Sequence, residues 1–489
     1  MTDTDGPRVS IVVTAHNYGT YLTDCLDSAI DQTYATDQYE IVVVDDGSTD
    51  DTPDILRSYE FEYPDLIRTI RLEGEGLPSA CNTGIDVAEG EYVIRLDADD
   101  YFDENILTVE ASYLDANPEI DLVYPDYYTI DDDDAIINHV RNPEVGEEVK
   151  LLNRSPLAAG AMYRKRAWEA IGGYDESLSY QEDYDFWIRF INEFTVHNVN
   201  IPLMYYRQHD TNMSRNLSGR LEARNEVKRD FVETNLTDRL AETEVLCLVP
   251  AMAEQRFTDP HMPDDGPPLA LREAAGKPLL EYTVAEALAA DRIDRTIVST
   301  EHGGIAEMAR DAGADVPEYR PPELSDSTVP LDEVVQYHMA RLRSEEGYEP
   351  DLVVLNQYVS PLTTAAHIDA IVDTWFMFSV DSVISVTQTN SFLWQPGKFG
   401  LAQLFEERLL REERETLYRE NGALYAFTPR VVRDKNAIVG DHVGHLRLER
   451  HSAVHIDSWH DLRHSESLLE MDDQVLRPDY QSPSLQRDQ

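Results

Sequence analysis

Apolar residues along this chain gather in short unbroken runs, separated by stretches in which they recur at helical spacing. Val9–Ala15 (VSIVVTA) is a buried-strand run after a polar lead, and Leu22, Cys25, Leu26, Ala29 and Ile30 then share one helical face. Ile41–Val44 reads as the next strand, with Asp45-Asp46-Gly47-Ser48 as its turn. Thr52 followed by Pro53 predicts an N-cap and the first turn of a second helix. The pattern restarts at Val245–Ala251 (VLCLVPA). A helical stretch follows Pro278, then come a strand at Thr296–Thr300, a helix at Ile305–Ala312 and a strand at Leu352–Leu355. Ile368–Phe378 reads as helix and Ser382–Thr387 as strand. Strands alternating with helices in this way predict mostly parallel sheets flanked by helices, an α/β fold built twice. Residues 216–243 are charged and helical in character, so the expected domains are 1–240 and 241–470, with a polar tail over 471–489.

Length and composition agree with two domains. The chain has 489 residues, too many for one ordinary core, and its 42% hydrophobic share suffices for packed interiors. Asp plus Glu number 94 against 41 Lys plus Arg, a formal charge of -53. Such self-repulsion strains a compact fold at low ionic strength and is relieved by concentrated salt. The acidity resembles that of proteins from salt-loving archaea. It argues against general electrostatic binding to nucleic acid or anionic membranes. Cys25, Cys81 and Cys247 are scattered, without a disulfide framework or zinc spacing, which fits a reducing cytoplasm. No apolar run approaches membrane-spanning length and residues 1–8 do not resemble a signal peptide. The expectation is a cytoplasmic protein that reaches the inner face of the membrane, if at all, by peripheral contact or a lipid-linked substrate.

Candidate chemistry begins at residues 92–100, an apolar strand ending in Asp97, Asp99 and Asp100. Clustered carboxylates repel one another and resist desolvation, and a divalent cation removes that repulsion. Hard oxygen ligands suit Mg2+ or Mn2+, which in turn would hold a diphosphate. In a sheet of this kind ligands sit at the carboxyl ends of strands, where Asp45-Asp46 and Asp97–Asp100 both fall. An acidic turn in an acidic protein is the bland alternative. Asp131–Asp134 is most simply a solvated loop.

Seven strings decide between these readings. Val-Thr-Ala-His-Asn with Tyr18, VVVDDGSTDDT, Asn82-Thr83-Gly84, RLDADD, Gly172-Gly173-Tyr174-Asp175-Glu176, Gln181-Glu182-Asp183-Tyr184-Asp185-Phe186-Trp187 and Tyr206-Arg207-Gln208-His209 occur in order. Together they resemble family 2 glycosyltransferases of the GT-A fold, a Rossmann-like architecture. The resemblance implies a metal-dependent inverting transfer from a nucleotide-sugar donor to a glycan, lipid-linked or protein-linked acceptor. It implies that Asp99 coordinates the metal, that Asp97 lies near the donor ribose and metal, and that Thr14 and Asp46 line the nucleoside pocket. Asp45 competes with Asp46 for that role. Asp183 would be the general base, its proton affinity raised by Glu182, and His209 would reach the metal or diphosphate. Asp183 could instead only favour a helix dipole, and Trp187 reads as packing.

Residues 245–465 resemble the cytidylyltransferases that activate sialic-acid-like sugars. The match runs through Gly276-Lys277-Pro278-Leu279, Ile297–Thr300, Arg320-Pro321, Asp332 and Gln357 with Ser360-Pro361-Leu362. It continues through Asp381–Thr387, Asn421–Tyr425 and Ile456-Asp457. The resemblance implies a second, GT-A-like nucleotide fold, a site drawing on Arg256, Gln357, Ser360, Asn421 and Asp457, and pairing into a homodimer. The departures fall at phosphate and metal positions. The loop after the first strand reads Ala251-Met252-Ala253-Glu254-Gln255-Arg256 without the family's Gly-Ser-Lys. Leu269-Ala270 replaces a Lys-Asn pair, Thr363 replaces an Arg, and His455 replaces one of two aspartates. Each lost cation forfeits charge-assisted bonds of about 1.5–3 kcal/mol. The expectation is a domain that binds or scaffolds. The competing readings are a bifunctional enzyme whose second half makes a CMP-activated nonulosonic acid, and a non-catalytic assembly protein of a glycan pathway.

Overall fold

The computed structural model describes residues 6–145, 160–209, 217–253, 266–326, 328–389, 391–398, 400–403 and 417–471; Arg256 and the tail from residue 472 lie outside them. The chain divides into two units, Met1–Val227 and Lys228–Gln489. The division lies inside the helix Leu217–Asn235, where the sequence pattern put it near residue 240. The reason is local: from Lys228 onward this helix bonds to the second unit, with Lys228 Nζ donating to Thr374 Oγ1 at 3.1 Å and Arg292 donating to Glu233 at 3.0 Å.

The first unit runs β1 (Val9–Ala15), α1 (Leu22–Ile30), β2 (Tyr39–Asp46), α2 (Thr52–Glu62), β3 (Ile67–Leu72), α3 (Leu77–Val87), β4 (Tyr92–Asp97), β5 (Tyr101–Phe102) and α4 (Ile106–Ala116). It continues through β6 (Leu122–Ile130), β7 (Ile136–Val140), β8 (Met162–Arg164), α5 (Lys165–Ile171), α6 (Glu182–Glu193), β9 (Val196–Arg207) and into α7 (Leu217–Asn235). Its sheet has the order β3-β2-β1-β4-β8-β6-β9-β5, with β7 beside β6. The strands β3, β2, β1 and β4 are parallel, and β8 then enters antiparallel. Every residue of β1 is buried, as a parallel strand covered on both faces requires. One core packs Val13, Leu22, Leu26 and Leu107 on one face; Val12, Ile85, Trp187 and Phe190 fill the other. Two glycines let the chain close tightly. A Cβ at Gly84 would lie 2.5 Å from Val12 Cγ1, so α3 settles directly on the sheet. Gly47 takes φ 75°, a left-handed turn with a Cβ position 2.9 Å from the backbone of Gly74. The second helix begins one residue away from expectation: Asp51 is its N-cap, Thr52 is already helical, and Asp50 accepts the Thr52 N–H at 3.0 Å.

The second unit carries α8 (Thr237–Glu242), β10 (Val245–Pro250), the hairpin β11 (Glu273–Ala274) and β12 (Lys277–Pro278), α9 (Leu279–Ala289), β13 (Arg295–Ser299), α10 (Gly303–Ala312) and α11 (Leu331–Arg341). Then follow β14 (Leu352–Asn356), α12 (Ala365–Phe378), β15 (Ser382–Thr389), the hairpin β16 (Trp394–Gly397) and β17 (Gly400–Gln403), β18 (Leu417–Phe427), α13 (Pro429–Lys435), β19 (Val443–Arg447) and α14 (Trp459–Leu469). Its sheet order is β13-β10-β14-β18-β15-β19. Here three parallel strands, with β10 between β13 and β14, meet an antiparallel strand, β18, where the first unit has four parallel strands meeting β8. The chain is therefore α/β, with a run of parallel strands meeting an antiparallel one in each unit.

Candidate functional site

The parallel register places Thr14 beside Asp97 and Ala15 beside Asp45, so the strand ends of β1, β2 and β4 share one rim. Thr14 Oγ1 lies 3.3 Å from Asp97 Oδ1. The two candidates on β2 are both engaged. Asp45 accepts the Ser48 N–H at 2.9 Å and pairs with Arg71 at 2.5 Å. Asp46 accepts the N–H groups of Glu75 at 2.7 Å and Gly76 at 2.8 Å. Each carboxylate shapes a loop of the rim and keeps lone pairs to offer. Asn17 joins the rim to the β2 turn, accepting from Thr49 at 2.7 Å while its own N–H donates to Ser48 Oγ at 2.8 Å.

Beneath Asp97 lies Arg95, fully buried in the middle of the apolar strand β4. Its Nε and Nη2 reach Asp97 at 2.9 and 3.1 Å, its Nη1 lies 3.9 Å from Glu182, and the Tyr174 ring is 5.8 Å away. Glu182 opens α6 after Gln181, which takes a left-handed φ of 65°. Burial, then the neighbouring Asp183, push the Glu182 carboxyl up to about 7, and Arg95 offsets part of that rise. Asp183, the next residue of the helix, is half-buried. Trp187, one turn further on, is packed edge-on against Tyr124. Asn82 braces the preceding loop by exchanging hydrogen bonds with the Tyr174 backbone at 2.9 and 2.8 Å.

On the other side of the rim Asp99 Oδ2 lies 2.9 Å from His209 Nε2. Burial and then Asp97 raise the Asp99 carboxyl, and the His209 hydrogen bond opposes the rise. Asp100 is fully buried and pushed well above the usual carboxylate range by desolvation and by Asp99. Its Oδ1 accepts the Arg207 N–H at 2.8 Å, and Oδ2 has no partner among the described residues. Arg207 Nε donates to the Asp99 carbonyl at 3.0 Å, and its guanidinium sits over the rings of Tyr21 and Tyr101. The loop at 131–134 is an exposed turn, as expected of a solvated loop, and it also clasps Arg207. Asp134 pairs with Arg207 at 2.7 Å, the Asp131 carbonyl accepts from it at 3.2 Å, and Tyr21 donates to Asp132 at 3.0 Å.

The donor set of Asp99 and His209, with the orphan oxygen of Asp100 close behind, fits a hard divalent cation. No group of three ligating side chains is assembled among the described residues. Mg2+ commonly takes only one or two carboxylates and completes its shell with phosphate and water; Asp99 offers one such carboxylate, and the His209 imidazole suits Mn2+ better than Mg2+.

In the second unit Ser360 Oγ lies 3.0 Å from His455 Nδ1, and His455 Nε2 lies 3.7 Å from Asp457. Gly422 abuts His455, which brings Asn421 to the same place; Asn421 accepts from Ser385 at 2.6 Å. The Gln357 N–H donates to Ala423 at 3.1 Å. Glu301 was not foreseen. Its carboxylate accepts the Ala253 N–H at 2.6 Å and pairs with the buried Arg320 at 2.9 Å, at the head of the β10 and β13 strands.

Residues 10–172 match the family model Glycosyl transferase family 2, and residues 270–393 match Cytidylyltransferase. An uncharacterized glycosyltransferase of Rickettsia typhi is 32% identical over 228 residues, 45% of this chain and 70% of that protein. Chondroitin synthase of Escherichia coli is 32% identical over 183 residues, 37% of this chain and only 26% of the relative. Among solved structures, residues 1–349 of S. aureus TarS in complex with UDP-GlcNAc share 22% identity at a TM-score of 0.40, covering 47% of this chain and 67% of that one. A mannosyltransferase from Pyrobaculum calidifontis in complex with GDP-Man and Mn2+ shares 20% identity at a TM-score of 0.36, covering 47% and 65%. No helix among the described residues is long and apolar enough to cross a membrane. By the family models and the Rickettsia typhi relative, the chain belongs to glycosyl transferase family 2 and carries a cytidylyltransferase-family segment behind it.

Proposed function

We propose that the first unit transfers a sugar, with inversion, from a nucleotide-sugar donor to a hydroxyl of a glycan, lipid-linked or protein-linked acceptor. The observation that carries this reading is Arg95, which ties the strand end bearing Asp97 to the helix start bearing Glu182 and Asp183. Thr14, Asp45, Asp46 and Asp97 bind the nucleoside side of the donor. Asp99 and His209 would hold Mg2+ or Mn2+, which when bound offsets the charge gathering on the leaving diphosphate. Asp183 takes the proton of the acceptor hydroxyl as its oxygen bonds to the anomeric carbon; the bond from that carbon to the diphosphate breaks, and the nucleoside diphosphate leaves. The second unit binds or scaffolds rather than turning over CTP, because Glu301 sets a carboxylate where a triphosphate would need donors. The test is mass spectrometry of nucleotide released from UDP-, GDP- and CMP-sugars in molar KCl with Mn2+. Metal-dependent release that disappears in Asp99→Ala supports the reading; release unchanged in that variant overturns it.

A further inference from the structure

A row of aromatic side chains crosses the outer part of the first sheet. His139, Tyr128, Tyr205 and Tyr101 are successive register partners on β7, β6, β9 and β5. Their rings lie 5.3, 5.4 and 4.5 Å apart, centre to centre. Beyond Tyr101 the contacts continue without a gap. The Arg207 guanidinium lies 5.8 Å from the Tyr101 ring and 4.9 Å from the Tyr21 ring, Tyr21 stacks on His209 at 5.2 Å, and His209 meets Asp99 at 2.9 Å.

Cross-strand aromatic pairs are often no more than a device for stiffening a sheet. This row differs from the pairs that do so here. Phe102, Tyr127 and Tyr206, the immediate neighbours of Tyr101, Tyr128 and Tyr205, turn to the opposite face and pack into the core. The row itself stays half-buried, and His139 is exposed. The hydroxyls of Tyr101, Tyr128 and Tyr205 have no hydrogen-bond partner among the described residues. Rigid rings with polar tips supply apolar area and hydrogen bonds at little entropic cost, which is what a polyhydroxylated ring presents in return. Three steps between strands make the row about 14 Å long, more than one sugar ring.

Charge narrows the ligand further. Asp126 lies 3.8 Å from His139, Asp103 is near Tyr205, and Asp24 and Asp134 are near Tyr101. A polyanionic chain along the row would meet carboxylates at His139, Tyr205 and Tyr101, the last pair shared with Arg207, and a neutral one would meet no such repulsion.

We propose that this row is an extended acceptor subsite, on which a neutral oligosaccharide lies with its growing end toward Asp99 and His209. The assignment rests on the transferase reading above, since it takes that pair as the reacting end.

The experiment is a binding titration, followed by tyrosine fluorescence, of the full chain in 2 M KCl with chitotetraose, cellotetraose and mannotetraose beside their disaccharides. One tetrasaccharide is expected to bind at least about tenfold more tightly than its disaccharide, about 1.4 kcal/mol. Tyr128→Ala and His139→Ala, both remote from the reacting end, should erase that length preference while leaving release of nucleotide from the donor unchanged. No tetrasaccharide binding, no length preference, or a preference that survives both variants overturns the subsite. Absence of donor turnover in the wild type would instead strike the transferase reading, and the titration would still decide the row.

Discussion

Arg95 and Asp97 lie two residues apart on one strand and form a two-pronged ion pair, with the guanidinium fully buried and the carboxylate side chain 26% exposed. A buried cation in a core strand is costly unless paired, so Arg95 fixes where Asp97 points. Replacing Arg95 by Met leaves Asp97 without its partner and frees Glu182. The expected loss of stability is near the low end of the about 3–5 kcal/mol seen when a buried pair is broken, because Asp97 keeps some contact with water. Thermal unfolding at fixed KCl measures it, and Arg95→Lys should recover only part, since an ammonium cannot make both contacts.

Asp99 and His209 give a second prediction. Asp99→Asn keeps the shape and a hydrogen bond to His209 but removes the charge that a cation needs. Nucleotide release at saturating donor should fall by at least about 100-fold, the upper end of the loss when a ligand's outer-shell partner is removed. Titration with Mn2+ should show half-saturation displaced upward in the same variant. An unchanged Mn2+ requirement would place the cation elsewhere.

Glu182 supplies a pH dependence whose sign follows from its environment. Its carboxyl is raised from 4.5 to about 7 in the folded chain, first by burial and then by Asp183. Below about pH 4.5 both folded and unfolded states hold the proton, and the group costs nothing. Between about pH 4.5 and 7 the unfolded state releases it while the folded state keeps it, so stability falls as pH rises. Above that range the loss is complete. Glu182→Gln removes this contribution, so unfolding curves of variant and wild type should diverge between pH 4.5 and 7 and run parallel above. Parallel curves throughout would show that Glu182 ionises normally.

Much of the fold around this rim was legible in the chain, and the parts that were not share a cause. The β1 strand occupies Val9–Ala15 as its apolar run indicates, and the helix Leu22–Ile30 follows the spacing of its buried face. Those signals are local. Arg207 meets the Asp99 carbonyl across 108 residues of sequence, and the clasp at 131–134 exists only because β6 and β9 pair. No periodicity near Asp131 encodes that partner, so the run of acids shows only that the turn is exposed, as it is. The N-cap at Asp51 rather than Thr52 is a one-residue error of the same kind, since Asp50 could serve only after its loop had formed. Arg95 left a visible trace: one charge inside the otherwise apolar Tyr92–Leu96 run demands a buried partner, and the carboxylates at the end of that strand are the nearest candidates.

Net charge predicts how the whole chain responds to salt. At -53, repulsion among surface carboxylates opposes compaction, and screening shortens its reach from about 10 Å at 0.1 M to about 3 Å at 1 M. The unfolding temperature should climb steeply over that interval of KCl. A flat response would mean that the surface ion pairs already neutralise the field locally.

The proposed binding or scaffolding role of the second unit turns on Glu301. Its carboxylate holds the Ala253 N–H and the Arg320 guanidinium, two donors in the segment where the cytidylyltransferase reading would put the triphosphate. A triphosphate entering there would have to displace a hydrogen-bonded carboxylate and then sit beside it, against like-charge repulsion. Pyrophosphate should therefore not form from CTP and a nonulosonic acid under the conditions that support release of nucleotide by the first unit. Glu301→Gln removes the repulsion and keeps an acceptor for the Ala253 N–H, so CTP should bind more tightly to that variant by calorimetry, still without pyrophosphate. Pyrophosphate from the wild type would make the chain bifunctional, and equal CTP affinity in both proteins would show that Glu301 does not guard the site.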